Sequence, residues 1–180
     1  MSTVNGALYH SFIAPYILSD IGGSYRGVDG QIHIDPSQNH YTSFSLWDTF
    51  RTWNPMMTLL DDKFVIEMIN SMLAHYKQKG ELPIWPLWGN ETGSMIGYHS
   101  VSVIADAWMK GIRGFNGDLA LEAMIASSNT SRKGNDLYRK FGFIPANNKS
   151  ESVSEYRYQI SVQLEWYDLV NDEAVSYTHL

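Results

Sequence analysis

The clearest pattern of apolar and polar positions lies in the middle of the chain. Phe64, Val65, Met68, Ile69, Met72, Leu73 and Tyr76 recur at steps of three and four, laying a wide apolar face along one helix. That spacing predicts a helix from about Pro55 to Lys79, with Gly80 where a C-terminal cap belongs. A second helix is expected over Met95 to Lys110, with Ile96, Val103, Ile104, Ala107 and Trp108 on one side and Gly111 at its end. A third covers about Asp118 to Ala126, and a shorter fourth about Asn135 to Phe141. Near the N-terminus, Leu8, Phe12, Ile13, Ile17 and Leu18 surround Pro15 and read as a short helix or half-helix.

The connections have their own signatures. Gly22 to Gly30 is glycine-dense and ends in Asp-Gly, and with Gln31 to Ile34 it predicts a β-hairpin or tight loop near residues 22–34. The segment lacks Gly-Lys-Ser/Thr and a strand–helix frame, which excludes a phosphate-binding loop. Asp35 to Asn39 is a further turn cluster, and Leu82 to Gly89 a loop rich in proline and tryptophan. No repeat, low-complexity linker or domain boundary interrupts the chain. Helix pairs joined by irregular, aromatic-bearing loops match an α/α barrel, of which four helices are an incomplete part.

Composition narrows the function classes. Hydrophobic residues at 44% and charged residues at 18% place the chain among globular proteins. The net charge is −6 and no Lys/Arg run exists, which argues against a nucleic-acid partner or an anionic membrane surface. No apolar run approaches the ~18 residues of a membrane span. The absence of cysteine excludes disulfides and thiolate chemistry and leaves the compartment open. Met1 to Asn5 is polar and gives no signal peptide, so the protein is cytosolic or Met1 is an internal methionine of a longer gene. Six Trp and 11 Tyr exceed what a small core needs. Flat rings beside carboxylates and amides suit carbohydrate, whose C–H faces stack and whose hydroxyls hydrogen-bond; an aromatic-rich core is the competing reading.

Three constellations are candidates for chemistry. In Phe44 to Arg51, Trp47 could stack on a sugar, Asp48 accept from its hydroxyls and Arg51 orient that carboxylate; Asp48 could equally cap a helix. Trp85 to His99 brings two Trp together with Asn90, Glu91, Tyr98 and His99 ahead of a helix. Glu91 beside a histidine is weak grounds for a metal or general base, and it reads equally as a dipole-complementing residue. Tyr25, Arg26 and Asp29 read first as hairpin residues. His10, His33, His40 and His75 are scattered without zinc-ligand spacing, and no Gly-x-Ser-x-Gly elbow occurs. Asn90, Asn129 and Asn148 open glycosylation-pattern tripeptides that carry little information in an Asn-rich chain.

Several of these strings, in order, resemble glycoside hydrolase family 92. They are Ser24 to Asp29, Tyr41 to Arg51, Leu82 to Thr92, Met95 to His99, Ile104 to Ala107 and Lys110 to Ile112, within a resemblance covering about residues 7 to 154. The resemblance implies an exo-acting, inverting, Ca²⁺-dependent α-mannosidase acting on α-mannoside glycans. It implies an N-terminal β-sandwich and an (α/α)6 barrel, with the site between them. This chain is then a mainly α, incomplete (α/α)6 catalytic domain over 1–154, lacking the β-sandwich and the remaining barrel helices. Trp47 and Asp48 of the Trp-Asp-Thr string are placed in the mannose site, with Arg51, Asn90, Glu91 and His99 nearby.

Inversion needs two carboxyl groups about 6.5–9.5 Å apart, one protonating the leaving oxygen and the other activating water. The family's acid lies in Thr-Glu-Gly-Asn and its base in Asn-Asp-Asp-x-Gly-Gln; neither string occurs here, so no catalytic residue and no calcium ligand is assigned. The family implies export, to a secreted, periplasmic or cell-surface location. After Ser154 the match is lost, and Val175 to Leu180 resembles translated adapter read-through, so 155–180 is read as a divergent tail without function. A non-catalytic carbohydrate-binding or scaffold protein of the same fold is the alternative. A trehalase- or glucoamylase-like glucosidase would share the architecture without these strings.

Overall fold

The structure, a computed structural model, describes residues 3–95 and 97–143; the expectations for Ile96 and for the tail from 155 lie outside the described residues. Helix α1 (Thr3–Ser11) opens the chain. Two strands follow, β1 (Tyr16–Ile17) and β2 (Ser24–Arg26), then β3 (Ile32–Ile34) and β4 (Tyr41–Thr42). The expected hairpin is present: β2 pairs antiparallel with β3, Ser24 opposite Ile34 and Arg26 opposite Ile32. β1 instead pairs with β4, Tyr16 opposite Thr42. The helices α2 (Leu46–Thr49), α3 (Trp53–Leu60) and α4 (Asp62–Lys79) come next. β5 (Pro86–Leu87) and β6 (Asn90–Glu91) make a second hairpin. α5 (Ser100–Met109), α6 (Gly117–Ser128) and α7 (Asn135–Phe141) complete the described part. Helices dominate, and the strands form three two-stranded ladders among the described residues.

The core gathers around α4, which packs against α3, α5, α6 and β4. The predicted apolar face is inside: Val65, Met68, Ile69, Met72 and Leu73 are buried against Val101, Ile104 and Ala107 of α5 and Ala120 and Ala123 of α6. Each large side chain removed from water in this way contributes about 1.5–3 kcal/mol. Phe44 and Leu46 join the same cluster, so the segment carrying Trp47 and Asp48 is seated on the core.

Two helix boundaries differ from expectation. The single helix over Pro55 to Lys79 is two, because Asp61 leaves helical geometry at φ −154° and ψ 88°. Its amide donates to the Met57 carbonyl at 3.0 Å, ending α3, while its carboxylate accepts from the Phe64 N–H at 3.0 Å and caps α4. Gly80 ends α4 as expected, its amide bonded to the Tyr76 carbonyl at 2.7 Å. The helix expected from Met95 begins only at Ser100. Gly97 lies at φ +73°, outside helical geometry, and a Cβ there would meet the His99 ring at 2.5 Å.

Candidate functional site

The loop 82–93 is bound to the rest of the fold at several points. At its start the Leu82 amide donates to Ser127 Oγ on α6 at 2.8 Å, and the Pro83 carbonyl accepts from Ser100 Oγ at the start of α5. The Pro86 carbonyl accepts from the Ser43 amide at 2.9 Å, and the Trp88 amide donates to Thr42 Oγ1 at 3.1 Å. Trp88 and Gly89 form the two-residue turn between β5 and β6, at φ +50° and +75°. A Cβ on Gly89 would lie 2.6 Å from the Arg26 carbonyl oxygen, so only glycine fits against the first hairpin.

Glu91 is the organiser of this loop. Its carboxylate, with a side chain only 1% exposed, accepts from the amides of Ile84 (2.7 Å), Trp85 (3.0 Å) and Gly93 (2.8 Å). His75 of α4 approaches it to 3.8 Å through Nε2, longer than a hydrogen bond, while Nδ1 lies 3.0 Å from the Glu81 carbonyl oxygen. Burial holds the His75 imidazole below its ordinary value. A carboxylate engaged by three main-chain amides in this way anchors the loop it closes.

The same loop reaches the Trp-Asp-Thr segment. The Trp85 indole Nε1 donates to Ser45 Oγ at 3.2 Å, and Ser45 Oγ donates to Asp48 Oδ2 at 2.6 Å. Glu91, Trp85, Ser45 and Asp48 are therefore linked in series. Asp48 lies inside α2 and is exposed. Its carboxylate does not cap α2, whose N-cap is Ser45 without a side-chain cap bond. The Arg51 guanidinium stands 5.7 Å from the Trp47 ring centroid and 4.9 Å from that of Phe50.

His99 is buried, its ring 4.3 Å from that of Phe50. Burial, then the Arg51 charge, lowers its pKa to about 4, while Asp48 opposes the shift. The structure thus brings Trp47, Asp48, Arg51 and His99 to one locality and ties Glu91 to it through Trp85. Asn90 is exposed beside the turn of the second hairpin.

Tyr25, Arg26 and Asp29 are hairpin residues. Tyr25 lies between the His33 and His40 rings, at 5.6 and 3.9 Å, and its hydroxyl accepts from Gln78 Nε2 at 3.2 Å. Asp29 receives the Gln31 amide at 3.0 Å and pairs with His33. Ser45 is the participant that sequence reasoning did not single out, and Trp85 entered only as one of the two Trp of its loop. Their only signal was position, a hydroxyl three residues before Asp48 and an indole opening the loop. Among the described residues no group of three or more His, Cys, Asp or Glu could hold a metal ion.

A model of the glycosyl hydrolase family 92 catalytic domain matches residues 2–172. A family GH92 α-mannosidase from Bacteroides thetaiotaomicron, solved with mannoimidazole, is 39% identical over 89% of this chain and 23% of its own, with a TM-score of 0.78. The family GH92 inverting mannosidase of B. thetaiotaomicron VPI-5482 is 30% identical over 91% of this chain and 25% of its own, with a TM-score of 0.72. The chain therefore spans about a quarter of the length of these solved relatives. No curated protein matches.

Proposed function

The chain belongs to glycosyl hydrolase family 92, and from that membership we propose that it is part of an enzyme removing terminal α-linked mannose with inversion. Its relatives are α-mannosidases, and its mainly helical fold is a part of their (α/α)6 barrel. The observation that carries the reading is the linked series Glu91, Trp85, Ser45, Asp48. Ser45 fixes one carboxylate oxygen of Asp48, leaving the other to accept from adjacent sugar hydroxyls, while Trp47 offers an aromatic face at the next position. Arg51 adds positive charge beside both, and Glu91 and His99 hold the surroundings from buried positions.

The Thr-Glu-Gly-Asn and Asn-Asp-Asp strings are absent from this sequence, so the chain alone is inactive in hydrolysis. Calcium, the β-sandwich and the remaining barrel helices belong to the complete enzyme. Export to a secreted, periplasmic or cell-surface location follows from the same family. Among the described residues no helix is long and apolar enough to cross a membrane.

Sequencing the source locus through the Ser154 codon tests the reading. A frame running on to both strings, and a product that cleaves mannobiosides in a chelator-sensitive way, bears it out. A stop codon soon after Leu180 favours the second reading, a non-catalytic carbohydrate-binding or scaffold protein of the same fold.

A further inference from the structure

We propose that a small cavity behind the start of loop 82–93 is a binding site for a monovalent anion of halide size, chloride in an ordinary salt solution. The cavity measures about 20 Å³, and Glu81, Tyr98, Ser127, Thr130, Arg132 and Asn135 are among the residues that line it. It lies between the start of the loop, the residue ahead of His99 and the segment leading from α6 into α7. That volume is room for one occupant about the size of a water molecule.

Two of the lining residues carry buried polar atoms without a hydrogen-bond partner among the described residues, the Tyr98 hydroxyl and Arg132 Nη1. Tyr98 is only 6% exposed, and burial pushes its phenol above the ordinary value, so the hydroxyl keeps its proton. The guanidinium donates, never accepts, and does not give up its charge. Leaving such donors unmet is costly, a charged one most of all. The lining hydroxyls of Ser127 and Thr130 donate elsewhere, to the Ala123 carbonyl at 2.7 Å and the Ser127 carbonyl at 3.2 Å. The surrounding charge is positive. Arg132 Nη2 pairs with Glu81, Lys79 Nζ stands 3.4 Å from the same carboxylate, and Arg139 Nη1 donates to the Thr130 carbonyl at 2.9 Å. A water molecule would accept from both donors but add two hydrogens of its own and no charge. Chloride accepts from both and offsets the positive surplus. Bound there, it ties Tyr98, next to His99, to Arg132 ahead of α7.

The test melts the 180-residue chain in sodium chloride, sodium bromide and sodium gluconate at equal ionic strength, and measures the width of the chloride NMR line as a direct report of binding. The expected result is a higher melting temperature in the two halides, saturating with concentration, and a chloride line that the protein broadens and bromide narrows again. Tyr98→Phe removes the hydroxyl and keeps the ring in the core, and its affinity for chloride is expected to be about tenfold lower. Arg132→Gln, at the other donor, is expected to lose the halide response in the same way, so the assignment does not hang on one variant. A chloride line that the wild-type chain does not broaden, or equal melting in chloride and gluconate, overturns the proposal and leaves the cavity to water. A halide response undiminished in both variants places the ion elsewhere, as an adventitious ion only, and overturns it too.

Discussion

Ser45 stands between an indole and a carboxylate, accepting from Trp85 and donating to Asp48. Removing its hydroxyl leaves Asp48 free to rotate, so Ser45→Ala is expected to weaken mannoside binding about tenfold while Ser45→Thr restores it. Titration of both variants with methyl α-mannoside checks this; equal affinities for wild type and Ser45→Ala would assign the hydroxyl no part in binding. His99 supplies a pH dependence. Its imidazole titrates at about 4 when folded and near 6.5 when unfolded. Between those values the unfolded chain takes up a proton that the folded one refuses, so stability falls as pH drops through that window. Above pH 6.5 neither state is protonated and the effect is absent. Full passage through the window amounts to roughly 3 kcal/mol, and His75, lowered by burial, acts in the same direction. Urea midpoints at pH 7.5 and 4.5 should differ less for His99→Gln than for wild type.

At the scale of elements, Asp61 is the instructive position. It ends α3 and caps α4 through Phe64, and Asp61→Ala is expected to lower stability by about 1 kcal/mol, read from a denaturant titration. The sequence pattern ran through this break because Leu59 and Leu60 continue the apolar spacing although they are 80% and 59% exposed. Period alone reports side-chain chemistry and cannot distinguish a continuing helix from two in line. The α4 face, the Asp-Gly hairpin and α7 were legible because their signals are local. The start of α5 was not, since Met95 and Ile96 are apolar while the backbone at Gly97 obeys its contact with His99. The ordered strings pointed to Trp47, Asp48 and the Glu91 loop as candidates. The Trp85–Ser45 bond, joining residues 40 positions apart, and the engagement of Glu91 by main-chain amides depend on the folded arrangement and were not legible.

At the scale of the molecule, the described part leaves large apolar side chains outside. Leu59, Met109, Phe143 and Trp108 are 80%, 66%, 57% and 41% exposed, and Leu121 and Ile125 of α6 accompany them. The solved relatives extend over about four times the length that this chain matches. The expected behaviour of the isolated chain is self-association, which sedimentation velocity at rising concentration detects. A single monomeric boundary throughout, with a sharp cooperative melt, would count against the remaining barrel helices as the cover for this surface. Glu91 has a different consequence for the protein's evolutionary latitude. Its carboxylate grips the amides of positions 84, 85 and 93, and an amide is offered by every amino acid except proline. The shape of the loop is therefore set by one anchored acid and by main-chain groups, and it does not depend on which side chains the loop turns toward solvent.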